Sequence, residues 1–130
     1  IEDCLRTSDI ICRYGGDEFV ALLPQLPERR ARETGERLRN AVENTSFDMN
    51  GKAISSTVSI GIATYPDEVS DVYDLLEKAD EALYECKRSG RNKVTSFTDI
   101  SPQAAVEHTN QNDKHKVKTG SSRKTDPPKE

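Results

Sequence analysis

Apolar positions change their rhythm several times along the chain. Ile10-Ile11-Cys12-Arg13-Tyr14 and Phe19-Val20-Ala21-Leu22-Leu23 are short β-prone runs on either side of Gly15-Gly16, and Gly-Gly between two such runs signals a hairpin. After Pro24 the period lengthens. Ala31, Thr34, Leu38, Ala41 and Val42 recur at three and four, and Pro27 suits a first helical turn, so an amphipathic helix is expected over 27–44. Phe47-Asp48-Met49 and Lys52-Ala53-Ile54 flank Asn50-Gly51, a tight-turn dipeptide, and Thr57 to Ala63 then alternates like a central strand. A second helix follows, with Ser70 as its cap, Asp71 and Asp74 at its positive end and Val72, Leu75, Leu76, Ala79, Leu83 and Cys86 as its buried stripe. Gly90 stops it, and Val94 to Phe97 supply a last short strand. The order predicts an α+β layer structure, an antiparallel-rich sheet with flanking helices, those helices lying on one face.

The rhythm fades after Asp99. Ser101 to Glu130 contains no aromatic residue, no Leu and no Ile, so it cannot bury enough surface to offset its ordering entropy, and a disordered polar tail is expected over 99–130 behind a folded portion over 1–98. Charge divides at the same place. Residues 1–100 carry 13 basic and 19 acidic side chains, net −6, and the remainder carries 6 and 4, net +2. An acidic folded portion disfavours a nucleic-acid polymer as its main partner, because phosphate backbones are drawn to basic surfaces. Cys4, Cys12 and Cys86 are odd in number and lack CxxC or Cys/His spacing, which points to reduced thiols rather than disulfides or zinc, and to the cytoplasm. No apolar run reaches membrane-spanning length, so no membrane contact is expected from this segment. A chain beginning with Ile rather than Met reads as a piece of something longer, whose upstream part could carry a membrane anchor.

The stretch RYGGDEF, Arg13 to Phe19, places two glycines directly before two acids. Glycine lets a backbone approach a bulky ligand and take up positive φ, and adjacent carboxylates are hard oxygen donors of the kind Mg²⁺ accepts while nucleotide phosphates complete its shell. Asp17 and Glu18 are expected on opposite sides of the outgoing strand. Taken alone, the same residues describe equally well a tight hairpin with two solvated acids.

RYGGDEF followed by a strand resembles the signature hairpin of the GGDEF family of diguanylate cyclases, enzymes that join two GTP molecules into cyclic di-GMP. Arg6-Thr7-Ser8-Asp9 resembles the family's RxxD inhibitory motif, with five residues between Asp9 and Gly15 as in the family. TVSIGIATYP, Thr57 to Pro66, resembles its central strand, and ADEALYECKRSGRNKV, Ala79 to Val94, its last helix and exit. The resemblance runs from about residue 1 to 98 and implies a nucleotidyl-cyclase-like fold. It implies that Asp17 and Glu18 are active-site acids holding Mg²⁺ (or Mn²⁺), that Gly15 and Gly16 admit the nucleotide, and that Lys87 and Arg91 bind phosphate. Phe19 is expected to be a core anchor. The resemblance further implies a product-binding site at Arg6 and Asp9, with Arg37 as a further member.

Simpler readings stand beside these. Lys and Arg near a helix C-terminus complement its dipole, Arg6 with Asp9 could form a weak helix-end ion pair, and Arg37 could lie on a solvated helix face. The implied reaction is attack of a 3′-hydroxyl of one GTP on the α-phosphorus of another, with pyrophosphate leaving. Cyclic di-GMP has two-fold symmetry, so a homodimer of facing domains is the expected scaffold, with GTP as substrate and cyclic di-GMP as product and inhibitor. A complete family domain begins with a strand and helices upstream of Ile1, carrying another metal-ligating Asp and guanine-recognising groups, so the fragment alone is expected to be inactive. A catalytically silent cyclic di-GMP receptor and a dimerisation scaffold are the alternatives.

Overall fold

The computed structural model describes residues 4–67 and 71–100. Ser70, expected to cap the second helix, and the tail expected over 99–130, from residue 101 on, lie outside the described residues. Eight main elements follow in order: β1 (Ile10–Gly15), β2 (Glu18–Leu22), α1 (Glu28–Glu43), β3 (Ser46–Met49), β4 (Lys52–Ser55), β5 (Ile60–Ile62), α2 (Leu75–Arg88) and β6 (Val94–Ser96). The mixture of helices and mostly antiparallel strand pairs is an α+β arrangement, as expected.

α1 forms where Arg and Glu alternate at helical spacing. Glu28 pairs with Arg32 at 2.7 Å and Arg39 with Glu43 at 2.7 Å, both one turn apart, and each such pair adds a few tenths of a kcal/mol. Pro27 stands just before the first turn with extended backbone (φ −69°, ψ 157°), where its missing N–H costs nothing. The helix buries a face of small residues, Ala31 and Gly35. α2 is preceded by a 3₁₀ turn at Val72–Asp74, where Asp71 accepts from the Tyr73 N–H at 2.9 Å, and it buries Ala82 and Cys86. Leu76, placed by the spacing in the buried stripe, is 43% exposed, while Glu81 is buried instead. Cys86 is buried as the spacing placed it, and Ala82 joins it because small side chains are what the close contact with β5 admits.

β5 and β6 pair in parallel, Ile60 with Val94 through Ile62 with Ser96, because the chain between them crosses over through α2. The helices do not share a face. A side chain built on Gly35 of α1 would meet the Val94 methyls at 3.2 Å and Ile62 Cδ1 at 3.5 Å, whereas one built on Gly61 would meet the Ala79 carbonyl of α2 at 2.2 Å. Ile62 and Val94 therefore look toward α1 and Gly61 toward α2, so the β5–β6 layer is clasped between two helices. The single-face expectation fails because a βαβ crossover puts its helix on one face and leaves the other for α1. Gly61 is what allows α2 to sit directly on the strand.

Below α1, Arg32 forms a two-pronged ion pair with Asp99 (2.8 and 3.1 Å), whose carboxylate also receives the Ser96 N–H at 3.0 Å. The β3–β4 hairpin turns at Asn50 and Gly51, both at positive φ as the dipeptide foretold, with Asp48 accepting the Gly51 N–H at 3.0 Å.

Candidate functional site

The turn of the β1–β2 hairpin is Gly16-Asp17 rather than Gly15-Gly16. Gly15 belongs to β1 and faces Glu18 across a register shift that follows Arg13. Gly16 takes φ +54°, the left-handed conformation that favours glycine, and nothing lies within 4 Å of a side chain built on either glycine. Arg13 closes the corner by donating from Nε (2.9 Å) and Nη2 (2.6 Å) to the Gly16 carbonyl. Asp17 therefore projects from the turn itself and Glu18 from the first position of β2, instead of from opposite sides of one strand. Phe19 is 54% exposed, so it is not the core anchor expected from its type.

Helix α2 brings its C-terminal turn to this corner. Lys87 Nζ donates to Glu18 Oε1 at 3.2 Å, a contact between residues 69 positions apart, with both side chains nearly half exposed (42% and 45%). The acid pair of the hairpin and the cation of the helix exit are thereby one locus. Both acids are solvent-accessible oxygen donors, and among the described residues no group of three or more His, Cys, Asp or Glu side chains gathers around them. Such a pair fits a divalent ion that takes two protein carboxylates and the rest of its oxygen shell from phosphates and water.

Arg91 follows α2 in an unusual backbone stretch. Gly90 (φ +116°), Arg91 (φ +61°) and Asn92 (φ +47°) are all left-handed, and the Arg91 N–H reaches back to the Cys86 carbonyl at 3.0 Å. Arg91 is exposed. Its neighbour Asn92, which sequence reasoning passed over, is gripped by α1: Asn92 Nδ2 donates to Glu43 at 2.8 Å and Arg39 donates to Asn92 Oδ1 at 3.2 Å. The Asn92 amide, and after it Arg39, hold the Glu43 carboxyl below its ordinary range, and Glu36 and then Glu43 raise the Arg39 guanidinium further. The available signal was an Asn directly after Gly-Arg at a helix exit, a residue type that tolerates left-handed backbone.

The RxxD stretch forms a turn. Asp9 N–H donates to the Arg6 carbonyl at 3.0 Å, and the Asp9 carboxylate accepts the Arg6 backbone N–H at 2.7 Å, so the motif is not an ion pair between its two side chains. Leu5, Arg6, Asp9, Ile10 and Ile11 line an open concavity of about 380 Å³. Arg37 Nη2 of α1 donates to the Cys4 carbonyl at 2.8 Å, which brings it to the segment leading into Arg6 rather than onto a free helix face. Among the described residues no helix is long and apolar enough to cross a membrane.

Residues 1–93 match the family model described as diguanylate cyclase, GGDEF domain. Diguanylate cyclase A of Treponema denticola is 39% identical over 104 residues, which is 80% of this chain and 28% of that protein. Diguanylate cyclase DosC of Escherichia coli is 44% identical over 93 residues, 71% of this chain and 20% of that protein. The chain thus spans less than a third of the length of these curated relatives. Among solved structures, the GGDEF domain of DgcB from Caulobacter crescentus in complex with c-di-GMP superposes with a TM-score of 0.67 at 31% identity, covering 75% of this chain and 58% of that one.

Proposed function

The chain belongs to the GGDEF family of diguanylate cyclases, and from that premise we propose that the corner between the β1–β2 hairpin and the end of α2 binds the triphosphate of GTP. In the intact protein, two such domains would face each other as a homodimer and condense two GTP into cyclic di-GMP. The single observation that carries this reading is the Lys87–Glu18 contact, which joins the acid pair and a phosphate-seeking cation at one place.

Each residue has a definable task. Gly15 and Gly16 leave open space in which phosphate and ribose can approach the backbone. Asp17 and Glu18 would hold Mg²⁺ or Mn²⁺, which when bound neutralises charge on the phosphates and on the leaving pyrophosphate. Lys87, which pairs with Glu18, would donate to a triphosphate oxygen more strongly, and Glu18 would then be available to hold the cation. Arg91, beyond the helix end, supplies a second positive group for phosphate. In each half-reaction the 3′-oxygen of one GTP bonds to the α-phosphorus of the other, the bond from that phosphorus to the bridging oxygen breaks, pyrophosphate departs, and the hydroxyl proton passes to solvent. Alignment of the two nucleotides supplies much of the rate, as is usual when two reactants are held in register. This turnover is assigned to the intact protein that carries the segment, and the segment alone, spanning 58% of the DgcB domain, is expected to be inactive.

Product inhibition is proposed at the RxxD turn. Asp9, fixed by the Arg6 backbone, presents a carboxylate that can accept from guanine nitrogens, while the Arg6 guanidinium can pair with a phosphate or a guanine edge, and Arg37 stands close by through Cys4.

The test is production of cyclic di-GMP from Mg·GTP by the intact protein, read by chromatography, with GTP affinity read by calorimetry. Asp17→Ala and Glu18→Ala should each lower turnover by about 10²-fold or more, the scale for losing a charge-stabilising group. Lys87→Ala should weaken GTP binding, and Arg6→Ala should relieve inhibition by added product without lowering the initial rate. An Asp17→Ala/Glu18→Ala protein that turns over at the parental rate would sink the reading. Product binding without any turnover by the unmutated protein would make it a receptor instead.

A further inference from the structure

Three consecutive left-handed residues at a helix exit require an explanation. Gly90 adopts φ +116° without penalty, and Asn tolerates the left-handed region better than most residues, but Arg91 at φ +61° is strained. Among the described residues, no side-chain partner of Arg91 holds it there. Its N–H is tied back to the Cys86 carbonyl at 3.0 Å, and the other restraint comes from the next residue.

Asn92 is tied at three points. Its N–H donates to Ser59 Oγ at 3.1 Å, just ahead of β5; its amide nitrogen donates to Glu43; its amide oxygen accepts from Arg39. Arg39 is itself fastened by Glu36 at 2.9 Å and Glu43 at 2.7 Å, with only 16% of its side chain exposed. A neutral amide thus stands between opposite charges, each end matched to the correct sign, and the last turns of α1 become a rigid bracket for the exit of α2. Strain maintained by surrounding structure is the pattern expected where a backbone is held for function.

We infer that Asn92 is a positioning residue: clamped by Arg39, Glu43 and Ser59, it fixes the left-handed backbone that presents Arg91 to the nucleotide phosphates. The inference rests on the proposed reading of Arg91 as a phosphate cation and adds the residues that aim it.

A double-mutant cycle in the intact protein, measuring KM and kcat for GTP, tests it. Arg91→Ala should raise KM by about tenfold, and Asn92→Ala by about fivefold with a much smaller change in kcat, both within the range of couplings between contacting residues. The Arg91→Ala/Asn92→Ala protein should have the KM of Arg91→Ala alone. Asn92→Gly keeps the backbone freedom, is expected to fold and lacks the amide; its KM should rise like that of Asn92→Ala. A parental KM in Asn92→Gly, or KM effects of the two single changes that multiply in full, overturns the positioning role while leaving Arg91 a phosphate ligand. An unchanged KM in Arg91→Ala overturns the assignment of Arg91 itself and the inference with it.

Discussion

The β5–β6 layer and the β1–β2 hairpin use glycine for opposite purposes. In the layer, Gly61 lies so close to α2 that a side chain would enter the Ala79 carbonyl and the Leu83 amide, at 2.2 and 2.3 Å. In the hairpin, a side chain built on Gly15 or Gly16 would meet nothing within 4 Å. One glycine is required by what touches it, the others by what could arrive. The layer buries Ile62, and α2 buries Ala82 and Cys86 beside it, whereas the hairpin leaves Ile10, Phe19 and Leu22 about half exposed. Stability is concentrated in the clasped layer, and the proposed chemistry lies on the hairpin and the helix end that reaches it.

Variants can break this contrast. Gly61→Val should be the most damaging change, at or above the upper end of the roughly 1–3 kcal/mol typical of overpacking, because the obstacle is backbone and cannot swing aside. Chemical denaturation of the intact domain reads it directly, and a stable Gly61→Val protein would erase the distinction between the two regions. Gly16→Ala should cost about 1–2 kcal/mol, all of it from the left-handed backbone and none from collision. Gly35→Ala should fall within about 1 kcal/mol of the parent, since the helix gains propensity while the Val94 methyls at 3.2 Å must shift by a few tenths of an ångström.

The smallest effect is one of acidity. Its bond to Arg32 holds the Asp99 carboxyl below its ordinary value of about 3.8. A carboxyl lowered in the folded state contributes stability that is fully present above that ordinary value and is lost as pH falls through the lowered one. Asp99→Asn should therefore reduce stability slightly at neutral pH and flatten its decline below about pH 4, measured as denaturation midpoints across pH. An unchanged acid slope would remove this pair from the layer's account.

Much of this was legible in the chain itself. The helix expected over 27–44 occurs at Glu28–Glu43, and Asn50-Gly51 turns as its chemistry requires. What escaped was relational. The parallel pairing of β5 with β6, and the placing of a helix on each face, depend on which face Gly61 and Gly35 present, and periodicity does not encode that. The central strand is shorter than Thr57 to Ala63 because only Ile60–Ile62 finds a partner in β6. At the site, the family resemblance implied Asp17, Glu18, Lys87 and Arg91, and the fold brings Lys87 to Glu18. It gave no hint of the grip of Arg39 and Glu43 on Asn92, which joins residues 49 to 53 positions apart. Polar contacts of that range leave no periodic trace.

The Lys87–Glu18 contact closes a loop of 69 positions, a span whose closure entropy is met only after the intervening helices and strands have gathered. The proposed phosphate corner is consequently a late event in folding: a chain that has formed its helices but not yet brought Lys87 to Glu18 holds the acids and the cation in separate places.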